Sequence, residues 1–120
     1  MRAILIDPFT RNVSEVETSA SLLDMYDLLQ VDCITVVQVG GGHAMILDDE
    51  GLLKSKDVQA YFTMKGASQP FAGRGLILGD NYGENRDATL PLDLVKDTVV
   101  WMDNEEVEPD QWTGWTVTTW

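Results

Sequence analysis

The chain opens with a short apolar block, Ala3-Ile4-Leu5-Ile6, set between Arg2 and Asp7. A continuous apolar run of this length predicts a buried strand over residues 2–7. Pro8-Phe9-Thr10-Arg11-Asn12 then supplies turn chemistry, because proline presets φ and asparagine tolerates left-handed backbone. Val13 and Val16 mark a second strand at 13–18, so the opening reads as a hairpin. The period then changes. Leu22, Tyr26 and Leu29 recur at i, i+4 and i+7, Met25 widens the stripe, and Asp24 and Asp27 fall largely off it. This predicts an amphipathic helix over 21–30. Ser21 followed by Asp24 resembles a capping box, with aspartate in the place usually held by glutamate. A helix this short is marginal alone, so its apolar face must pack on a sheet.

Residues 32–39 are rich in β-branched side chains and read as a strand. Gly40-Gly41-Gly42 breaks it, and an apolar run resumes at 43–47 before the acidic turn Asp48-Asp49-Glu50-Gly51. The pattern is that of a hairpin with a glycine loop. Residues 52–72 fit neither period, and 58–62 suit helix or strand equally. Gln69-Pro70-Phe71-Ala72-Gly73 reads as a loop leading into a strand at 74–79, with glycine at close-packing positions. Residues 80–87 read as a polar exposed loop. Pro91 starts one or two helical turns to Lys96, with proline at the first helical position, and 97–102 read as another strand. Many short strands against one capped helix predict an α+β fold: a mainly antiparallel sheet with one principal helix packed on one face.

The domain division expected is a core at 1–104 and an acidic, Trp-rich C-terminal extension at 105–120, packed on the core or on a partner. Six acidic residues and no Lys or Arg come after Lys96. Three of the four tryptophans (Trp112, Trp115 and Trp120, with Trp101 the fourth) fall in the last nine residues, among threonines. The alternation over 111–120 predicts a terminal strand paired with the domain or with a second copy. Homodimerisation is the secondary expectation, since an open edge recruits its twin.

Composition narrows the function. At 120 residues the chain is sized for one domain, and 44% hydrophobic content is enough for a core. The formal charge of −12 argues against direct nucleic-acid binding by counterion release and against an anionic membrane surface. The N-terminal apolar run of four residues is shorter than the roughly 7–15 of a signal peptide. No stretch approaches the ~18 apolar residues of a membrane span. A cytoplasmic protein is expected.

Met1-Arg2-Ala3-Ile4-Leu5-Ile6-Asp7-Pro8, Asp48-Asp49-Glu50-Gly51-Leu52, Ala72-Gly73-Arg74-Gly75-Leu76-Ile77-Leu78-Gly79 and Asp80-Asn81, in that order, resemble a family of small uncharacterised proteins from bacteriophages and mobile elements, a domain of unknown function. The resemblance covers about the first hundred residues. It implies a genetic setting, a phage or mobile element in a bacterial host cytoplasm, and it brings no catalytic residues. The Trp-rich tail lies outside it.

Candidate chemistry is sparse. Gly40-Gly41-Gly42-His43 lacks the phosphate-loop spacing, and no clear helix comes after it. His43 is the chain's one histidine, and no base or metal ligand is grouped with it. Asp80, Glu84 and Asp87, with Asn81 and Asn85, miss the EF-hand pattern and read as a solvated loop. Asp48-Asp49-Glu50 reads as an exposed acidic turn, Arg74 as an internal salt-bridge former, and Cys33 as a small buried residue. No set of acid, base and nucleophile is visible, so a non-enzymatic protein with no cofactor and no metal is expected. The leading expectation is a phage-type accessory protein that binds and inhibits a basic host protein, with acidic mimicry of nucleic acid as the mode. Its partner-binding residues would be Glu105, Glu106, Glu108, Asp110, Trp112 and Trp115. A small-molecule or nucleotide-binding domain using the glycine loops is the alternative. A small hydrolase using the acidic turns and a divalent ion is the third class.

Overall fold

The computed structural model describes residues 1–51, 54, 58–67 and 70–103. Strands β1 (Arg2–Asp7) and β2 (Asn12–Glu17) form the opening hairpin, antiparallel and in register from Arg2 opposite Glu17 to Asp7 opposite Asn12. Helix α1 (Leu22–Leu29) comes next. Strands β3 (Ile34–Gly40) and β4 (His43–Asp48) form the glycine-turn hairpin.

The stretch that had no readable period contains two strands, β5 (Tyr61–Met64) and β6 (Phe71–Ala72). Tyr61 and Phe62 are both fully buried, one on each face of β5, so no apolar–polar alternation exists there to be read. Phe71 and Ala72, expected in a loop, pair with Phe62 and Tyr61. Strand β7 (Gly75–Asn81) then runs into β8 (Glu84–Arg86). Residues 80–87, expected as an open loop, are thus the tip of a hairpin. Tyr82 and Gly83 at its turn have φ of 52° and 87°, the left-handed pair that suits a two-residue hairpin connection. Helix α2 (Leu92–Thr98) and strand β9 (Val99–Met102) complete the described fold. Pro91 is the N-cap of α2, one residue before its expected position.

The large sheet has six strands in the order β2-β1-β7-β4-β3, with β8 beside the far end of β7. The small sheet has the order β6-β5-β9. Every pairing is antiparallel. Ile4, Ile6, Val37, Met45, Leu47 and Ile77 line one face of the large sheet and meet Phe62, Met64 and Phe71 of the small sheet and Val95 of α2. Ala3, Ile46, Leu76 and Leu78 line the other face and meet Met25 and Leu29 of α1. The antiparallel α+β expectation holds. The expectation of one principal helix on one face is replaced by two helices on opposite sides of the large sheet. Helix α2 is only seven residues long, too short to declare itself as a stripe, and it is held by burying Val95 and Thr98.

The start of α1 matches its sequence signal with one change. Ser21 accepts a hydrogen bond from the Asp24 backbone N–H at 3.2 Å, as a cap should. Asp24 does not reach back to Ser21. It accepts from the Thr18 hydroxyl and from the Ser19 N–H at 3.0 Å. These two bonds, the Thr18 hydroxyl first, hold the Asp24 carboxyl below its ordinary value of 3.8. A carboxyl depressed in the folded state stabilises the fold above its unfolded value, and that contribution is lost as pH falls through the folded value. Asp24→Asn is therefore expected to flatten the fall of melting temperature below about pH 4. A variant whose pH–melting curve overlays that of the native chain would show that the carboxylate is not linked to folding.

Candidate interaction surface

The six residues expected to bind a partner, Glu105, Glu106, Glu108, Asp110, Trp112 and Trp115, lie outside the described residues. So does the predicted strand at 111–120. The other sequence candidates can be placed.

His43 is buried at the start of β4. Its Nδ1 donates to the Gly41 carbonyl at 2.9 Å, and its Nε2 accepts from the Thr89 N–H at 3.0 Å. A neutral imidazole has one donor and one acceptor, and both are engaged here, so the ring serves as a clamp between the glycine turn and the segment before α2. Gly40, Gly41 and Gly42 all have positive φ. The Gly42 carbonyl accepts from the Asp80 N–H at 2.8 Å. The turn leads directly into strand β4, so it offers no helix N-terminus to face an anion.

The carboxylates of residues 80–87 diverge to separate tasks. Asp80 accepts from the Gly83 N–H at 3.1 Å and from the Gln38 side chain at 3.0 Å. Asp87 accepts from the Arg2 N–H at 2.8 Å. Glu84 sits 4.0 Å from Arg86. Among the described residues no three His, Cys, Asp or Glu side chains are grouped so as to hold a metal ion. Arg74 lies 3.4 Å from the Asp7 carboxylate and 4.6 Å above the Phe9 ring, an internal use as expected. Cys33 is exposed, contrary to expectation. Strand β3 begins one residue later, so Cys33 stands at the corner before the sheet interior starts. Asp48 is the converse correction: expected in an exposed turn, it is buried, with Lys54 paired to one carboxylate oxygen and the Glu50 N–H donating to the other. The Tyr61 hydroxyl is buried without a hydrogen-bond partner among the described residues, and burial pushes its pKa up.

Two concavities open on the α1 side. The first, of about 410 Å³, lies at the C-terminal end of α1. Asp27 and Asp32 enter it from the helix end and the turn after it, Asp48 and Glu50 from the end of β4, and Lys54 is the one cation among its described lining residues. A helix C-terminus carries partial negative charge that a base usually offsets, and α1 has no basic residue in its last turn. Among the described residues, four carboxylates and a helix end thus face one ammonium already paired to Asp48. The site can hold a cationic side chain. The second concavity, of about 510 Å³, runs between α1 and β3. Its walls are mostly apolar, including Leu22, Ile34 and Val36, with Gln38, Asp80 and Asn85 at one end.

Cations elsewhere are largely committed. Arg2 contacts Glu15 at 2.6 Å, and Arg11 contacts Asp103 at 2.9 Å. Sequence reading missed the acidic cleft because Asp27 and Asp32 meet Asp48 and Glu50 only after β3 pairs with β4. The legible trace was the absence of a base at the end of the predicted helix. Among the described residues no helix is long and apolar enough to cross a membrane.

A family described as Domain of unknown function (DUF3846) matches residues 1–104. Neither the curated proteins nor the solved structures contain a match.

Proposed function

The chain belongs to the DUF3846 family, and we propose that it is a non-enzymatic binding module for a basic protein partner. The reading extends to a phage-type accessory factor in a bacterial cytoplasm that occupies a host protein's nucleic-acid surface by acidic mimicry. One observation carries it: Asp27, Asp32, Asp48 and Glu50 converge with the α1 C-terminus on a cleft where Lys54, the one cation among the described lining residues, is already paired. Uncompensated charge in a concavity focuses the field and raises the encounter rate with a cationic partner. The chain's acid excess supports the same reading. The extension adds Glu105, Glu106, Glu108 and Asp110 to the negative side, with Trp112 and Trp115 as candidate anchors. The alternative, a nucleotide site on the glycine loops, has less behind it, because the Gly40-Gly41-Gly42 turn leads into a strand and is closed by its own hydrogen bonds.

The test is Asp27→Asn/Asp32→Asn/Glu50→Gln, a set that removes charge with little change of shape. Captures of basic proteins from a bacterial lysate at low and high salt would be compared with those of the native chain. The expected result is a roughly tenfold or greater loss of affinity for the captured partner and a shallower salt dependence. Unchanged affinity and unchanged salt slope would remove the cleft from the proposal.

A further inference from the structure

We propose that the chain forms a two-fold homodimer through the outer edge of β3. The inference rests on the sheet edge and is independent of the acidic cleft. Strand β3 is the last strand of the large sheet on its side, and none of the described residues pairs with its outer edge. Two hydrogen bonds settle which of its backbone groups face outward. The Asp49 N–H donates to the Cys33 carbonyl at 3.2 Å, so Cys33, Thr35 and Val37 turn their backbone groups toward β4. The Asp80 N–H donates to the Gly42 carbonyl, so Gly42, Ala44 and Ile46 turn theirs toward β7, in the same phase. In an antiparallel strand the N–H and C=O of one residue point the same way and alternate along the chain. Ile34, Val36 and Gln38 therefore turn their N–H and C=O groups to the outside, where none of the described residues pairs with them. The register is regular from Ile34 to Gln38, with an irregularity only beyond it.

Natural edges of this kind are guarded by charge, proline or a bulge. Ile34-Thr35-Val36-Val37-Gln38 carries neither charge nor proline, in a chain that is 23% charged. Val36 at its centre is 56% exposed. Such a strip offers nothing to a basic partner, which sets it apart from the acidic cleft. It does match itself. A two-fold axis at Val36 places Val36 against its own copy and Ile34 against the partner's Gln38, with each pair exchanging N–H···O=C bonds. The same axis sets Asp32, two residues before β3, opposite Gly40, which has no side chain. The apolar walls of the α1–β3 groove then meet across the axis, which extends the contact beyond the backbone. Each chain carries −12, so association strengthens as salt screens the repulsion between copies. This is opposite in sign to the salt response of a basic partner in the cleft.

The register is tested by cysteine placement in the Cys33→Ser background. Paired residues in this position stand about 5.5 Å apart at Cα, inside the range that a disulfide spans. Val36→Cys is expected to cross-link to its own copy on mild oxidation. Gln38→Cys is not, because its twin sits four residues away along the strand, about 14 Å. Native chain monitored by light scattering up to about 1 mM, a range that covers micromolar to millimolar association, is expected to shift from 13.4 kDa to 2 × 13.4 = 26.8 kDa. Val36→Lys is expected to stay at the monomer mass with its melting temperature unchanged. A native chain that remains monomeric throughout overturns the proposal. So does a dimer that survives Val36→Lys while Val36→Cys fails to cross-link, which would assign the contact to another surface such as the C-terminal extension.

Discussion

Phe62→Ala is expected to destabilise the fold by about 3–5 kcal/mol, the usual range for a large aromatic removed from a closed core. Phe62 is fully buried at the centre of the contact between the two sheets. Its ring centroid lies 5.4 Å from that of Phe71, tilted at 40°. Its ring tip lies close over β7, since a Cβ built on Gly75 would approach Phe62 Cζ to 3.1 Å. Truncation would leave a cavity bounded by two sheets, neither of which can close it without losing its own strand pairing. Small domains have only about 5–15 kcal/mol in total. The melting temperature should accordingly fall by roughly 10–25 °C, measurable by circular dichroism or calorimetry. A loss below about 1 kcal/mol would mean that the small sheet does not pack on the large one as described.

Gly79→Ala is expected to be the most damaging of the glycine substitutions, at about 2–3 kcal/mol. An added Cβ would stand 2.6 Å from the Asp87 carbonyl oxygen and 3.2 Å from that of Arg86. Both are backbone atoms, and they have little room to retreat. The Asp87 carboxylate accepts from the Arg2 N–H, and the Ala88 N–H donates to the Arg2 carbonyl at 2.8 Å. The Arg2 guanidinium also donates to the Ala88 and Leu90 carbonyls at 2.7 and 3.0 Å. The segment is thus latched to β1 from both sides. Gly83, at the tip of the same hairpin, is the control. Nothing lies within 4 Å of its virtual Cβ, and only its φ of +87° opposes a side chain. Gly83→Ala should cost about 1 kcal/mol through backbone strain alone. Urea denaturation of the two variants separates crowding from strain, and equal losses would contradict the close approach at Gly79.

Local order was legible in the chain wherever one residue's neighbours in sequence are also its neighbours in space. Ala3 to Ile6, the Pro8 to Asn12 turn, the helical stripe with its Ser21 cap (of which Met25 and Leu29 are buried while Leu22 is exposed), and the glycine break between β3 and β4 each encode their element within a few residues. The antiparallel α+β class came from them, because short strands joined by tight turns pair with their neighbours. The outward Val36 and the missing charge along β3 were also present in the letters, although nothing in them marked that strand as an edge.

The remaining features depended on long-range packing, for a consistent reason. Strand β5 pairs with β9, some forty residues later, and Tyr61 and Phe62 are buried on both sides, which erases the alternation that would reveal a strand. Strand β8 is polar because it lies at the rim, where pairing is backbone to backbone and side chains need not be apolar. Helix α2 was legible as one or two turns begun by Pro91, but its run to Thr98 and its place against the core were not. Asp48 is buried and Cys33 exposed because each residue's environment is made by elements distant in sequence. The acidic cleft joins a helix end to a strand end, and local propensity has no access to that distance. Periodicity and turn chemistry are properties of adjacent residues, so the elements they build were written in the chain alone. Burial, edge position and the convergence of charge depend on which strands become neighbours, and in this protein the folded sheet order set all three.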